Sequence, residues 1–239
     1  MNDDKAAVLS RLARAVASSG SGDPLAVRLC RACVDIAHAA GGAITFGYAS
    51  DDRMTVCTTG EVAARLEDLA EVLGEGPGWD AYRSGQVVSG DVQDERWPVF
   101  GASARREIGM VYLDALPMRP GGQLMGVLTL HRRSGRSGAG AFDVEMAQFV
   151  ADAVGAALLR EPGWGDDKGP VGPWAARSRV HQATGMVVAQ LGIGVEDAMA
   201  LLRAHAFAHA ASLDDIAAQI LSRRLNFSIT DTTTRNEEP

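Results

Sequence analysis

Near the end of the chain, Ser178, His181, Gln182, Gly185 and Ala189 recur at intervals of three and four residues, the spacing that puts side chains on one stripe of an α-helix. All five are small or polar, and Arg177 and Arg179 stand beside the start of the stripe. Histidine, glutamine, threonine and arginine supply the donors and acceptors that read nucleobase edges and phosphates. A glycine inside a helix costs about 1 kcal/mol relative to alanine. A sequence that keeps Gly185 there implies that something approaches the backbone closely. A splayed-out base and a neighbouring helix would both serve.

Other chemistry-bearing residues point less far. Cys30-Arg31-Ala32-Cys33 has redox or zinc-ligand spacing, yet it falls inside a helical pattern with no second pair. Two small residues facing a core would have the same spacing, and core packing is the expectation. Asp51 and Asp52 sit in an expected turn, where aspartate is favoured for local geometry. No Gly-rich loop ends in Gly-Lys-Ser/Thr, and no His-rich metal spacing occurs. No nucleophile–base pair can be assembled, so no catalytic residue, metal or cofactor is expected.

Composition bounds the class of protein. At 239 residues, 46% hydrophobic and 22% charged, the chain has room for two modest globular domains. Three cysteines make no disulfide framework, no apolar run spans a bilayer, and the acidic start MNDDK lacks the basic region of a signal peptide, so the cytoplasm is the expected compartment. The net charge of −7 argues against a generic basic coat for nucleic acid. Its distribution is uneven: residues 174–227 hold five arginines against four acids, one unit positive, while the remainder carries −8.

The elements that would position these residues fall into two groups. The stretch 161–173, EPGWGDDKGPVGP, has three prolines and four glycines and reads as a linker. Before it, helical spacing over 3–17 marks an N-terminal helix, residues 1–19, and a second helix runs over 24–39 with Asp23 as its cap. A strand pair follows at 43–49 and 54–58, a helix at 62–73, a short strand at 87–89, a hairpin at 110–118 and 123–131, and a helix at 143–159. That order describes an α+β domain with an antiparallel sheet. After the linker, three amphipathic helices occupy about 175–191, 195–210 and 212–225. Their apolar stripes are Val180, Ala183, Val187, Leu191; Ala198, Leu201, Leu202; and Leu213, Ile216, Ile220, Leu221. Ser212 and Asp215 have the spacing of a capping box. Residues 228–239 read as a polar, frayed tail.

The segments LGEGPGWDAYRSGQVVSGDV, DERWPVF and QLMGVLTLHR, in this order of elements, resemble a GAF domain over residues 20–160. The resemblance implies a sensor with a six-stranded sheet, a small-molecule pocket on one face and dimerisation through flanking helices. Many GAF domains joined to the C-terminal kind of module described next carry cysteine where this chain has Gly78, so thiol chemistry is not expected at that position. Trp79, Tyr82, Trp97, Phe100 and Tyr112 are candidates to line the pocket; core filling would explain the same residues.

The run Arg179-Val-His-Gln-Ala-Thr-Gly-Met-Val-Val-Ala-Gln-Leu-Gly192, with Leu202-Arg203-Ala204-His205-Ala206 and Leu213-Asp214-Asp215-Ile216-Ala217, resembles an ANTAR domain over 174–227. The resemblance implies an all-α three-helix bundle that binds paired stem-loops in a nascent mRNA leader and so prevents a terminator hairpin. A homodimer would suit two linked loops, since the second contact becomes intramolecular. By this likeness Arg179, His181, Gln182, Thr184, Gly185 and Arg203 face RNA, with Arg223 and Arg224 adding phosphate attraction. Thr184 stands where many members have lysine. His205 and His209 are expected to pack or simply be exposed. The alternatives are a bundle that binds DNA as a helix-turn-helix, or a sensor-dimerisation protein whose bundle engages a protein partner. Asp214 and Asp215 at the start of the third helix oppose a DNA groove.

Overall fold

The computed structural model describes residues 2–18, 22–49, 52–133, 144–161 and 173–228, so the expected linker and tail lie almost wholly outside the described residues. The chain divides into two compact units, Met1–Asp167 and Lys168–Pro239.

The first unit is built on a five-stranded antiparallel sheet, among the described residues, where the resemblance implied six strands. Its elements are α1 (Asn2–Ser18), α2 (Leu25–Ile36), β1 (Gly41–Ala49), β2 (Asp52–Thr58), α3 (Glu61–Leu73), α4 (Pro77–Ser84), β3 (Val88–Asp91), α5 (Pro98–Glu107), β4 (Val111–Met118), β5 (Gly126–Arg133) and α6 (Val144–Leu159). The strand order is β2-β1-β5-β4-β3. Because successive side chains alternate across a strand, β4 and β5 each feed two cores. Ile44, Phe46, Leu116, Leu128 and Leu130 pack with Leu12, Leu29, Val150, Val154 and Leu158 under α1, α2 and α6. Leu113, Ala115 and Val127 pack on the opposite face with Leu66 and Leu69 of α3, Trp79 of α4, Trp97 just before α5 and Phe100 of α5. Thr129 and His131, two and four residues beyond Val127, share that second face.

Three local details differ from the sequence expectations. Helix α1 is part of this unit: Leu12 is buried in its core, and Lys5 Nζ pairs with Glu145 of α6 at 2.7 Å. Pro24 caps α2, while Asp23 pairs with Arg31. Helices α4 and α5 occupy stretches to which the sequence reading assigns no element, each opening with proline at its first positions, where the missing N–H is not needed.

The second unit is a three-helix bundle of α7 (Pro173–Leu191), α8 (Val195–Ala208) and α9 (Leu213–Leu221). Val180, Ala183 and Val187 are buried with Ala198, Leu202, Ala206, Leu213, Ile216, Ala217 and Ile220. Leu201, expected in that core, is instead an exposed residue, and Leu191 and Leu221 are half-buried. The Ser212–Asp215 capping box forms as expected: Asp215 N–H donates to Ser212 Oγ at 3.1 Å. Each helix ends on a residue with positive φ: Gly192 at 66°, Ala210 at 50° and Arg223 at 59°.

Candidate nucleic-acid interface

The outer stripe of α7 is assembled as its spacing requires. Ser178, His181, Gln182, Gly185 and Ala189 are all exposed, opposite the buried Val180, Ala183 and Val187. Gln182 Nε2 donates to Ser178 Oγ at 3.2 Å, one turn earlier. Gly185 is the informative member. A Cβ built on it would meet no atom within 4 Å, so nothing among the described residues requires glycine there. The propensity cost of about 1 kcal/mol therefore has no return among the described residues.

Thr184 does not belong to this face. It lies four residues after Val180 and three before Val187, on the buried side, with 3% of its surface exposed. Its hydroxyl donates to Val180 O at 2.8 Å, a bond back to the preceding turn. The structure thus places it as a buried polar residue satisfied by its own helix, which corrects its assignment to RNA contact.

The arginines differ in availability. Arg179 makes a two-pronged pair with Asp214 of α9, Nε to Oδ1 at 2.8 Å and Nη2 to Oδ2 at 2.7 Å, with both side chains more than a third exposed. Arg203 is half-buried, its Nε shielded from solvent. Arg223 and Arg224 are exposed beyond α9. There the Arg224 N–H donates to Gln219 O and the Arg223 N–H to Ile220 O, which closes the helix in a Schellman turn. That turn normally takes glycine at the position Arg223 holds, so arginine is kept there at a conformational cost. His205 and His209 stack on each other, ring centroids 4.1 Å apart, and Phe227 meets His205 edge-on at 5.4 Å. Burial pushes the His205 pKa down first, and the His209 charge adds to it.

In the first unit the aromatic candidates fill space. Trp79, Trp97 and Phe100 are 1–2% exposed. The Trp79 indole N–H donates to Ala70 O at 2.6 Å and that of Trp97 to Asp80 Oδ2 at 2.7 Å. These three are core residues rather than the lining of an open pocket. Tyr82 is half-buried against Gly47, and Tyr112 is 38% exposed with Arg132 5.8 Å from its ring centroid. Beside Trp79 the Arg53–Glu67 pair is buried in the same layer: Arg53 Nη2 donates to Glu67 Oε2 at 3.2 Å and to Thr45 Oγ1 at 3.0 Å. The space left between them, Thr55, Glu71 and Trp79 is about 10 Å³, room for one water at most. The sequence reading missed this pair, although a charged residue on a strand facing a core is its only signal. Gly78 leaves room for it, since a Cβ there would lie 2.9 Å from Arg53 Nη2.

The cysteines pack as expected. Cys30, Cys33 and Cys57 are buried free thiols, with burial pushing Cys33 up to about 12, and the neighbouring Cys57 together with burial pushing Cys30 higher still. Among the described residues no three His, Cys, Asp or Glu side chains group to hold a metal ion, and no single helix is long and apolar enough to cross a membrane.

Comparison with known proteins adds three findings. The family model described as GAF domain matches residues 23–159, and that described as ANTAR domain matches residues 174–221. Among solved structures, the GAF domain of A. Aeolicus nlh2 in an inactive state is similar at a TM-score of 0.46 and 12% identity, over 66% of this chain and 97% of that one. No curated protein matches the chain significantly.

Proposed function

We propose that this chain, which belongs to the GAF family and carries an ANTAR domain after it, is a transcription antitermination regulator that reads RNA through the outer stripe of α7. GAF domains are sensory and ANTAR domains are RNA-binding regulators of antitermination; both are regulatory rather than catalytic types. The observation that carries the reading is Gly185, exposed and in mid-helix, where a Cβ would meet no atom within 4 Å among the described residues. A base stacked or bonded against the α7 backbone supplies the missing reason for it. His181 and Gln182 offer base-edge contacts from the same stripe, while Arg223 and Arg224 offer phosphate contacts. Arg179 joins them by exchanging Asp214 for a phosphate. Arg203 supports the fold of α8 more than the contact, given its burial.

The RNA is a pair of stem-loops in a nascent leader, bound by two copies of the chain. The module's charge of only +1 means that loop shape and base contacts, more than bulk attraction, carry recognition. The test is a gel shift that compares a tandem stem-loop leader with duplex DNA of equal length. Retention of the RNA alone supports the reading; equal or stronger retention of DNA favours the helix-turn-helix alternative.

A further inference from the structure

Packing accounts for one of the two stacked histidines at the end of α8 and not for the other. His205 is half-buried, between the edge of Phe227 at 5.4 Å and the face of His209 at 4.1 Å. His209 is exposed, at the residue that caps the helix. Their four-residue spacing brings the two rings together on the helix surface, with planes 25° from parallel. The Nδ1–H of His209 donates to His205 O at 2.8 Å, which holds the outer ring in this orientation. Burial keeps the His205 pKa below its usual value, with the His209 charge adding to it, so the inner ring is neutral at pH 7. The outer ring is thus flat, pre-positioned and at the surface, with two further rings behind it.

The chain ties this stack to the surface that faces RNA. The Phe227 backbone N–H donates to Gln190 Oε1 at 3.1 Å, and Gln190 follows Ala189, the last residue of the outer stripe of α7. Phe227 also comes three residues after Arg224, at most about 11 Å of chain. The ring cluster is therefore joined to the base-reading stripe on one side and to the phosphate-facing arginines on the other. An unpaired nucleobase is the partner that a flat exposed ring in that position fits, since bases splayed from a loop stack on histidine and other aromatic rings. We propose that the His205–His209 stack is a platform for one unpaired base of a loop read by the α7 stripe, with His209 the ring that meets the base and Phe227 the ring that backs His205. The inference rests on the RNA reading above and adds to it a stacking contact that neither the stripe nor the arginines make.

The test uses the full chain and an RNA of two hairpins joined by a single-stranded spacer. The chain has five histidines, few enough to follow each labelled ring by NMR. A base stacked on His209 shields its ring protons, so saturable upfield shifts are expected there and none at His38 of the first unit. In gel shifts His209→Ala should hold the RNA at least about fivefold more weakly, the lower end of what a stacked base contributes. His209→Phe keeps a flat ring without the charge or the hydrogen bond and should stay within about twofold of the parent chain. Phe207→Ala removes an exposed ring of the same helix outside the stack and should match the parent as well. The platform is overturned by unshifted His209 protons, by undiminished binding in His209→Ala, or by losses from His209→Phe or Phe207→Ala equal to that from His209→Ala. Each of those results leaves the RNA reading standing, since that reading depends on retention of hairpin RNA by the parent chain. A parent chain that retains no such RNA overturns both.

Discussion

Arg53 in the first unit and Arg179 in the second each meet a carboxylate, but the side chains of the Arg53–Glu67 pair are 5% and 7% exposed and those of the Arg179–Asp214 pair 37% and 41%. The first pair lies under the Trp79 ring, with the guanidinium carbon 4.8 Å from its centroid. No solvent can replace either partner there, and burial lowers the Arg53 pKa even against the pull of Glu67. The second pair stands in water and loses little if it opens, because an exposed ion pair contributes about 0–1 kcal/mol. The same two functional groups are thus a fixed part of the core in one unit and an exchangeable surface contact in the other. Exchange is what an arginine needs if it is to take up a phosphate.

Breaking the buried pair is the severest test of that contrast. Glu67→Ala removes the carboxylate bonded to the buried Arg53, leaving Glu71 as a nearby acid, and should lower stability by about 1–3 kcal/mol in urea denaturation. Asp214→Ala should lower it by less than about 1 kcal/mol. Similar losses from both would remove the distinction. The helix ends give a middle-sized effect: Ala210→Gly and Arg223→Gly each relieve a left-handed residue and should stabilise the bundle by about 1 kcal/mol. Only Arg223→Gly should also weaken RNA binding, with a salt dependence shallower by about 0.7. If Ala210→Gly weakened RNA binding equally, the loss would belong to the turn geometry and not to the Arg223 charge.

Acid should act on the first unit through His131. Its folded pKa is depressed below 6.5 by burial, while the unfolded chain takes up a proton near that value. This contribution to stability is therefore complete above pH 6.5 and declines as the pH falls below it. Thermal melts from about pH 7.5 to about 5.5 should show a drop for the parent chain that His131→Phe makes shallower; parallel curves would contradict it. The smallest effect expected is from Asp214→Asn, which loosens Arg179 and should tighten RNA binding by a few-fold, under about 1 kcal/mol. Weaker binding in this variant would mean that the pair itself, intact, faces the RNA.

Much of this arrangement was legible in the residues. The β4–β5 hairpin, α6 and the three bundle helices have uninterrupted periodicity, and the Ser212–Asp215 box and Gly192 mark their ends by type alone. Helices α4 and α5 were not legible, because the Gly and Pro of Gly76-Pro77-Gly78 and Trp97-Pro98 interrupt any helical spacing. The proline in each case opens a helix, and Gly85 in left-handed conformation closes α4 after eight residues. Thr184 is assigned to RNA by the likeness, because it stands where many members have lysine, although its spacing from Val180 and Val187 already puts it inside. The Arg179–Asp214 and Arg53–Glu67 pairs join residues 35 and 14 positions apart, and no local pattern announces such a meeting. Gly185 was legible as an oddity; the empty space around it is what only the structure supplies.

That empty space allows the most direct test of the account. Gly185→Leu adds an exposed side chain whose Cβ would meet no atom within 4 Å among the described residues, in a residue type that favours helix, so the folded bundle should be as stable as before or more so. In a gel shift with the tandem stem-loop leader, its affinity should fall at least about tenfold, 1.4 kcal/mol, while its melting temperature does not fall. Unchanged RNA affinity in a variant that melts no lower would contradict the claim that the outer stripe of α7 is the surface that reads RNA.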